Sequence, residues 1–75
     1  MRDKSILNKL KTIPEFDGSV INRYQTREGL LKFVTIGGLS IKWYSRGNIA
    51  IQIGDDDIIC GINELVSVIQ GLIRS

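Results

Sequence analysis

Three adjacent aspartates, Asp55, Asp56 and Asp57, and a lone thiol, Cys60, are the side chains of this sequence best equipped for chemistry. Carboxylates suit hard cations, and a calcium loop takes its ligands at alternating positions with a later acidic residue closing it. Here the aspartates are contiguous, so at most two can face one ion, and no glutamate closes the loop. Carboxylates this close also repel one another. The run reads instead as a solvated turn whose charges discourage edge-to-edge pairing of a sheet. Cys60 would need a base or strongly positive surroundings to act as a nucleophile. The chain has no histidine, and a thiol between Ile59 and Gly61 reads as a small buried hydrophobe. Zinc, copper and iron sites lose their commonest ligand for the same reason. Nothing pairs Glu15, Asp17, Glu28 or Glu64 for acid–base work. The glycines match neither GxGxxG nor GxxxxGK[ST]. The expectation is a non-enzyme, without metal or cofactor.

A second group has the chemistry of recognition. In "LSIKWYSRGNIAIQI", residues 39–53, Lys42, Tyr44 and Arg46 fall on one side of an alternating pattern. Sheet faces that read single strands need cations to track phosphates and aromatic rings to stack bases. Arg23, Lys32, Lys42, Tyr44 and Arg46 could supply such a face, with Tyr24 nearby. These residues define an alternative partner, single-stranded nucleic acid. The element order derived below, a four-strand meander followed by a helix, is similar to that of the single-stranded-DNA-binding transcriptional coactivator family. That resemblance lies in topology alone.

The elements that must position these residues follow from hydrophobic period. Ile6, Leu10 and Ile13 recur at helical spacing, which predicts a helix over 4–12 with Asp3 or Ser5 as its cap. Pro14 ends it, Phe16 tucks under the sheet, and Asp17-Gly18 makes a turn. From 19 to 53 the period switches to two. Strands are expected at about 19–25, with Val20, Ile21 and Tyr24, and then at 30–36, 39–45 and 48–53. Gly37-Gly38 is a two-residue hairpin loop of the kind that needs positive φ at both positions. "IIC", residues 58–60, can add a fifth strand at the edge. "GINELVSVIQGLIRS" reads as the C-terminal helix, with Gly61 and Glu64 as a weak capping box and Gly71 as a point of close packing. Its stripe of Ile62, Leu65, Val66, Ile69, Leu72 and Ile73 is wide enough to cover one sheet face. The fold class is α+β: a short helix, an antiparallel meander of four or five strands, and a terminal helix, all in one domain over 1–75.

Alternation gives the faces. Leu39, Ile41 and Trp43 point one way with Ile49, Ile51 and Ile53; Lys42, Tyr44, Ala50 and Gln52 point the other. The second strand is apolar on both sides, with Leu31 and Phe33 opposed to Leu30, Val34 and Ile36. That surplus, together with Val68 off the helical stripe, marks Leu30, Val34, Ile36 and Val68 as the partner-binding set.

Seventy-five residues lie near the lower limit for one hydrophobic core, with expected stability of roughly 4–11 kcal/mol. Chains this small often lean on a disulfide, a metal or another subunit. With one cysteine, an internal disulfide is impossible, so a protein partner is the expected support: a second copy in a homodimer, or a larger target. Net charge is +2, but residues 1–50 carry +5 and residues 51–75 carry −3. Such a dipolar chain can orient on a polyanion or on its own copy. The charged start "MRDKSILNKLK" lacks the apolar run of a signal peptide, and a lone thiol fits a reducing compartment. The expected location is cytoplasmic, without a membrane. The expected role is a non-catalytic adaptor or inhibitor that occupies a surface.

Overall fold

The computed structural model describes residues 2–16 and 21–74. In chain order it contains α1 (Arg2–Leu10), β1 (Asn22–Thr26), β2 (Gly29–Ile36), β3 (Leu39–Trp43), β4 (Ile49–Ile53), β5 (Asp56–Cys60) and α2 (Leu65–Arg74). The strands form one antiparallel sheet in the order β1-β2-β3-β4-β5. The α+β class stands as expected, and the meander has five strands. The Asp17-Gly18 turn and Val20 lie outside the described residues.

Each end of the meander has a local cause. The chain after α1 tightens into three-residue turns, Thr12 N–H to Lys9 C=O and Ile13 N–H to Leu10 C=O, before Pro14. Gly37 and Gly38 take φ of 55° and 84° in the β2–β3 loop. Both values lie in the left-handed region, where a side chain would cost roughly 1–2 kcal/mol per residue. That loop sets Ile36 opposite Leu39, Val34 opposite Ile41 and Lys32 opposite Trp43. The fifth strand is longer than "IIC" because the Gly54-Asp55 loop closes early and pairs Asp56 with Ile53. The terminal helix starts at Leu65, four residues later than expected, after a turn at 62–64. The capping contact is present all the same, with Gly61 N–H donating to Glu64 Oε2 at 3.2 Å. Gly71 is exposed and nothing lies where its Cβ would be, so it has no packing role.

The core lies on one side of the sheet. Val34, Ile36, Leu39, Ile41, Trp43, Ile49, Ile51 and Cys60 are buried there with Ile6 and Leu10 of α1, Ile13 just beyond it, and Leu65 and Ile69 of α2. Phe16, Ile21, Ile53 and Ile58 pack against the same cluster. Both helices therefore cover the same face, giving two layers. Asp3 does not cap α1 through its side chain. Its carboxylate accepts hydrogen bonds from Lys32 Nζ and, at 3.0 Å, from Trp43 Nε1, which fastens α1 across β2 and β3.

This arrangement corrects the expected faces. Val34 and Ile36 are fully enclosed, at 0% and 1% exposure, and are not surplus surface. The hairpin register makes them partners of Ile41 and Leu39, so they share the helix-covered face. Val68 is half-buried against the core rather than free. Of the four residues expected to bind a partner, Leu30 alone is exposed, at the β1 side of the sheet.

Candidate functional site

With both helices on one face, the other side of the sheet is open. The ladder registers assign its side chains in rows. One row crosses all five strands as Asn22, Phe33, Lys42, Ala50 and Ile59. Beside it lie Tyr24 and Leu31, with Tyr44 following β3 on the same face. The row on the far side is polar: Thr35, Ser40, Gln52 and Asp57. The open face is thus divided, half apolar and aromatic, half hydrophilic.

None of the apolar half is enclosed. Tyr24 and Ile59 are 60% and 59% exposed, and Leu31, Phe33, Lys42, Tyr44 and Ala50 are half-buried by their neighbours alone. The Tyr24 and Phe33 rings stack diagonally across β1 and β2, with centroids 5.5 Å apart and planes 8° from parallel. Offset stacking of this kind braces two rings against each other. Between β3, β4 and β5 the face dips into a hollow of about 340 Å³, walled by Leu31, Lys42, Tyr44, Asn48, Ala50 and Ile59.

Charge is graded along the strands. The turns bordering the apolar half hold Arg27 and Arg46, against Glu28, all exposed. The opposite end holds Asp55 in the β4–β5 turn with Asp56 and Asp57 on β5. Three of the four acids in the last third of the sequence therefore sit at one end of the sheet, away from the aromatic rows; the fourth, Glu64, lies beyond Cys60 at the other end.

The set expected to contact nucleic acid is split by the fold. Lys42 and Tyr44 are on the open face, and Arg46 is in the turn beside it. Lys32 is on the helix side, tied to Asp3. Arg23 pairs with Lys32 across β1 and β2 and shares its side of the sheet. Its charge helps hold the Asp3 carboxyl below its ordinary pKa, an effect led by the Lys32 hydrogen bond and partly offset by burial. Tyr24, by contrast, joins the open face, and so does Phe33.

The chemically suggestive residues of the sequence gather no site. Asp55, Asp56 and Asp57 are exposed, and among the described residues no three potential ligands cluster as a metal site would require. Cys60 is buried on the helix side, where burial and then the charge of Glu64 push its thiol pKa up. A protonated, enclosed thiol is a poor nucleophile. Among the described residues no helix is long and apolar enough to cross a membrane. No protein family, curated protein or solved structure matches this chain.

Sequence reasoning passed over Leu31, Phe33 and Ile59 as surface residues. Two of them were detectable. A two-residue loop at Gly37-Gly38 forces Ile36 and Leu39 to pair, so Val34 must share the face of Ile41 and Leu31 the face of Lys42. Ile59 has no such signal, because "IIC" alone, starting after the aspartate run, is too short to fix a register or a face.

Proposed function

We propose that this chain is a non-catalytic protein-interaction module, an adaptor or inhibitor, that docks a partner on the open face of its sheet. The observation that supports this reading most is the uncovered apolar half, where Tyr24, Leu31 and Phe33 on β1 and β2 and Ile59 on β5 have no element of the described residues over them. Contiguous apolar surface bordered by charge is characteristic of interaction sites. Aromatic residues are also the side chains most enriched at the energetic centre of interfaces.

Nucleic acid is the weaker alternative once the cations are placed. Phosphate-led binding needs several charges along one groove, and Lys32 and Arg23 are on the other side. A second copy of the chain also suits the face less well than a foreign protein. A two-fold axis centred on the five-residue row brings Lys42, its middle member, against its own copy.

A displayed peptide library selected on the immobilised protein tests the proposal, with amide chemical shifts locating each selected peptide. Binders should shift Leu31, Phe33, Ala50 and Ile59 and leave α1 and α2 unmoved. Ile59→Glu, at an exposed position, should weaken them by at least about tenfold without loss of fold, because it puts a charge into the apolar wall of the hollow. Light scattering should give the 8.4 kDa mass of one chain. Peptides that dock on the helices, or an empty selection, would overturn the reading. A doubled mass that reverts in Ile59→Glu would replace the foreign partner with a second copy.

A further inference from the structure

We infer that the segment this face takes is acidic as well as apolar, seating a bulky side chain in the hollow beside Tyr44 and setting its carboxylates against Lys42. The inference rests on the docking reading above and adds the chemistry of the partner. Three observations carry it. The hollow, at about 340 Å³, is at the small end of ligand sites, which run to roughly 300–1,000 Å³. It has room for one or two side chains, and Leu31, Ala50, Ile59 and the Tyr44 ring give it apolar walls.

Lys42 is the one formally charged residue in that wall. It is half-buried, its cross-strand neighbours are Phe33 and Ala50, and no carboxylate of the described residues pairs with it. A partly desolvated ammonium among apolar groups is completed by an acceptor that the partner brings.

Two further cations border the apolar half. Arg27 and Arg46 sit in the turns at its edge, against Glu28 in the turn of Arg27 and Glu64 bonded to Gly61 at that end, and the three aspartates lie at the opposite end. A basic segment would find its charges repelled where its apolar side chains fit. An acidic one finds both satisfied together.

The test uses blocked hexapeptides and the full chain, read by amide shifts at low and moderate salt. The probes are Asp-Asp-Leu-Phe-Asp-Asp, the same core flanked by four lysines, and the acidic flanks around two serines. An oligothymidylate of eight nucleotides is the fourth. The acidic Leu-Phe peptide should bind at least about tenfold more tightly than either other peptide, with shifts at Lys42, Ala50 and Ile59. Lys42→Gln, folded by circular dichroism, should weaken it by about tenfold, the usual worth of a charge-assisted contact. Double substitution of Arg27 and Arg46 by glutamine should weaken it less and remove most of its salt dependence. Equal binding of the lysine-flanked peptide at the same residues would overturn the inference while leaving the docking face in place. Binding of none of the peptides would overturn it too, and the library selection would then decide the face by itself. Tighter binding of the oligothymidylate would assign the face to nucleic acid.

Discussion

Trp43→Ala should leave most of the chain unfolded at room temperature. Trp43 is the bulkiest side chain of the core and is 1% exposed. Truncating such a ring to alanine costs about 3–5 kcal/mol, because the transfer energy is lost and a cavity remains. The whole domain is worth roughly 4–11 kcal/mol at this length, and small size favours the lower part of that range. The change also strips Asp3 of its indole donor, so the Asp3 carboxylate keeps only its Lys32 bond to the sheet among the described residues. Urea titration followed by far-ultraviolet circular dichroism is the measurement. Trp43→Ala should show little or no folded baseline. Trp43→Phe, which keeps a ring and loses the N–H, should fold with a loss of about 1–2 kcal/mol. An unchanged midpoint for the alanine variant would mean that the helices do not pack on this side of the sheet.

The second large effect is a dependence on acid that belongs to one residue. Asp3 holds its proton less readily in the folded chain than its ordinary value of 3.8 implies. The Lys32 hydrogen bond does most of this; burial opposes it, and the Trp43 N–H and the charges of Lys32 and Arg23 add to it. A carboxylate with a depressed folded pKa favours folding wherever it is ionised in both states. Its contribution is complete above the unfolded value and disappears as pH falls through the folded one. Asp3→Asn should therefore cost about 1 kcal/mol near neutral pH, a discounted figure because the pair is partly open to solvent. The gap between the two proteins should close on acidification below the ordinary aspartate value. Urea midpoints measured for both from neutral to strongly acidic pH would show this. A gap that stays constant into acid would remove Asp3 from the set of groups that hold α1 down.

These two effects rest on contacts that the sequence only partly reveals. The switch from helical to two-residue period marked the start of the sheet, and glycine chemistry at 37 and 38 fixed its firmest turn. The pairing of Leu39, Ile41 and Trp43 with Ile49 and Ile51 on one face followed from alternation, since a one-residue slip would expose them all. The second strand defeated alternation, because Leu31 and Phe33 are as apolar as Val34 and Ile36. Periodicity cannot rank two apolar faces; cross-strand register can. Carried through the Gly37-Gly38 loop, it places Val34 in the core and Leu31 outside. The role of Asp3 was hidden for a different reason. A polar residue in the first turn of a helix has a local use as a cap, and its distant partners, Lys32 and Trp43, are visible only once the helix is laid on the sheet. The same holds for the recognition set. Lys42 and Tyr44 kept their expected side, whereas Lys32 and Arg23 changed meaning when the edge strand was paired.

The central claim is that both helices lie on one side of the sheet and leave the other uncovered. Carbon-13 methyl spectra recorded with and without a water-soluble nitroxide test it directly. The account predicts that the Leu31 and Ile59 methyl signals are strongly attenuated by the nitroxide while those of Val34, Ile41 and Ile51 persist. Persistence of Leu31 and Ile59 alongside the core, or equal attenuation of Val34, would contradict it.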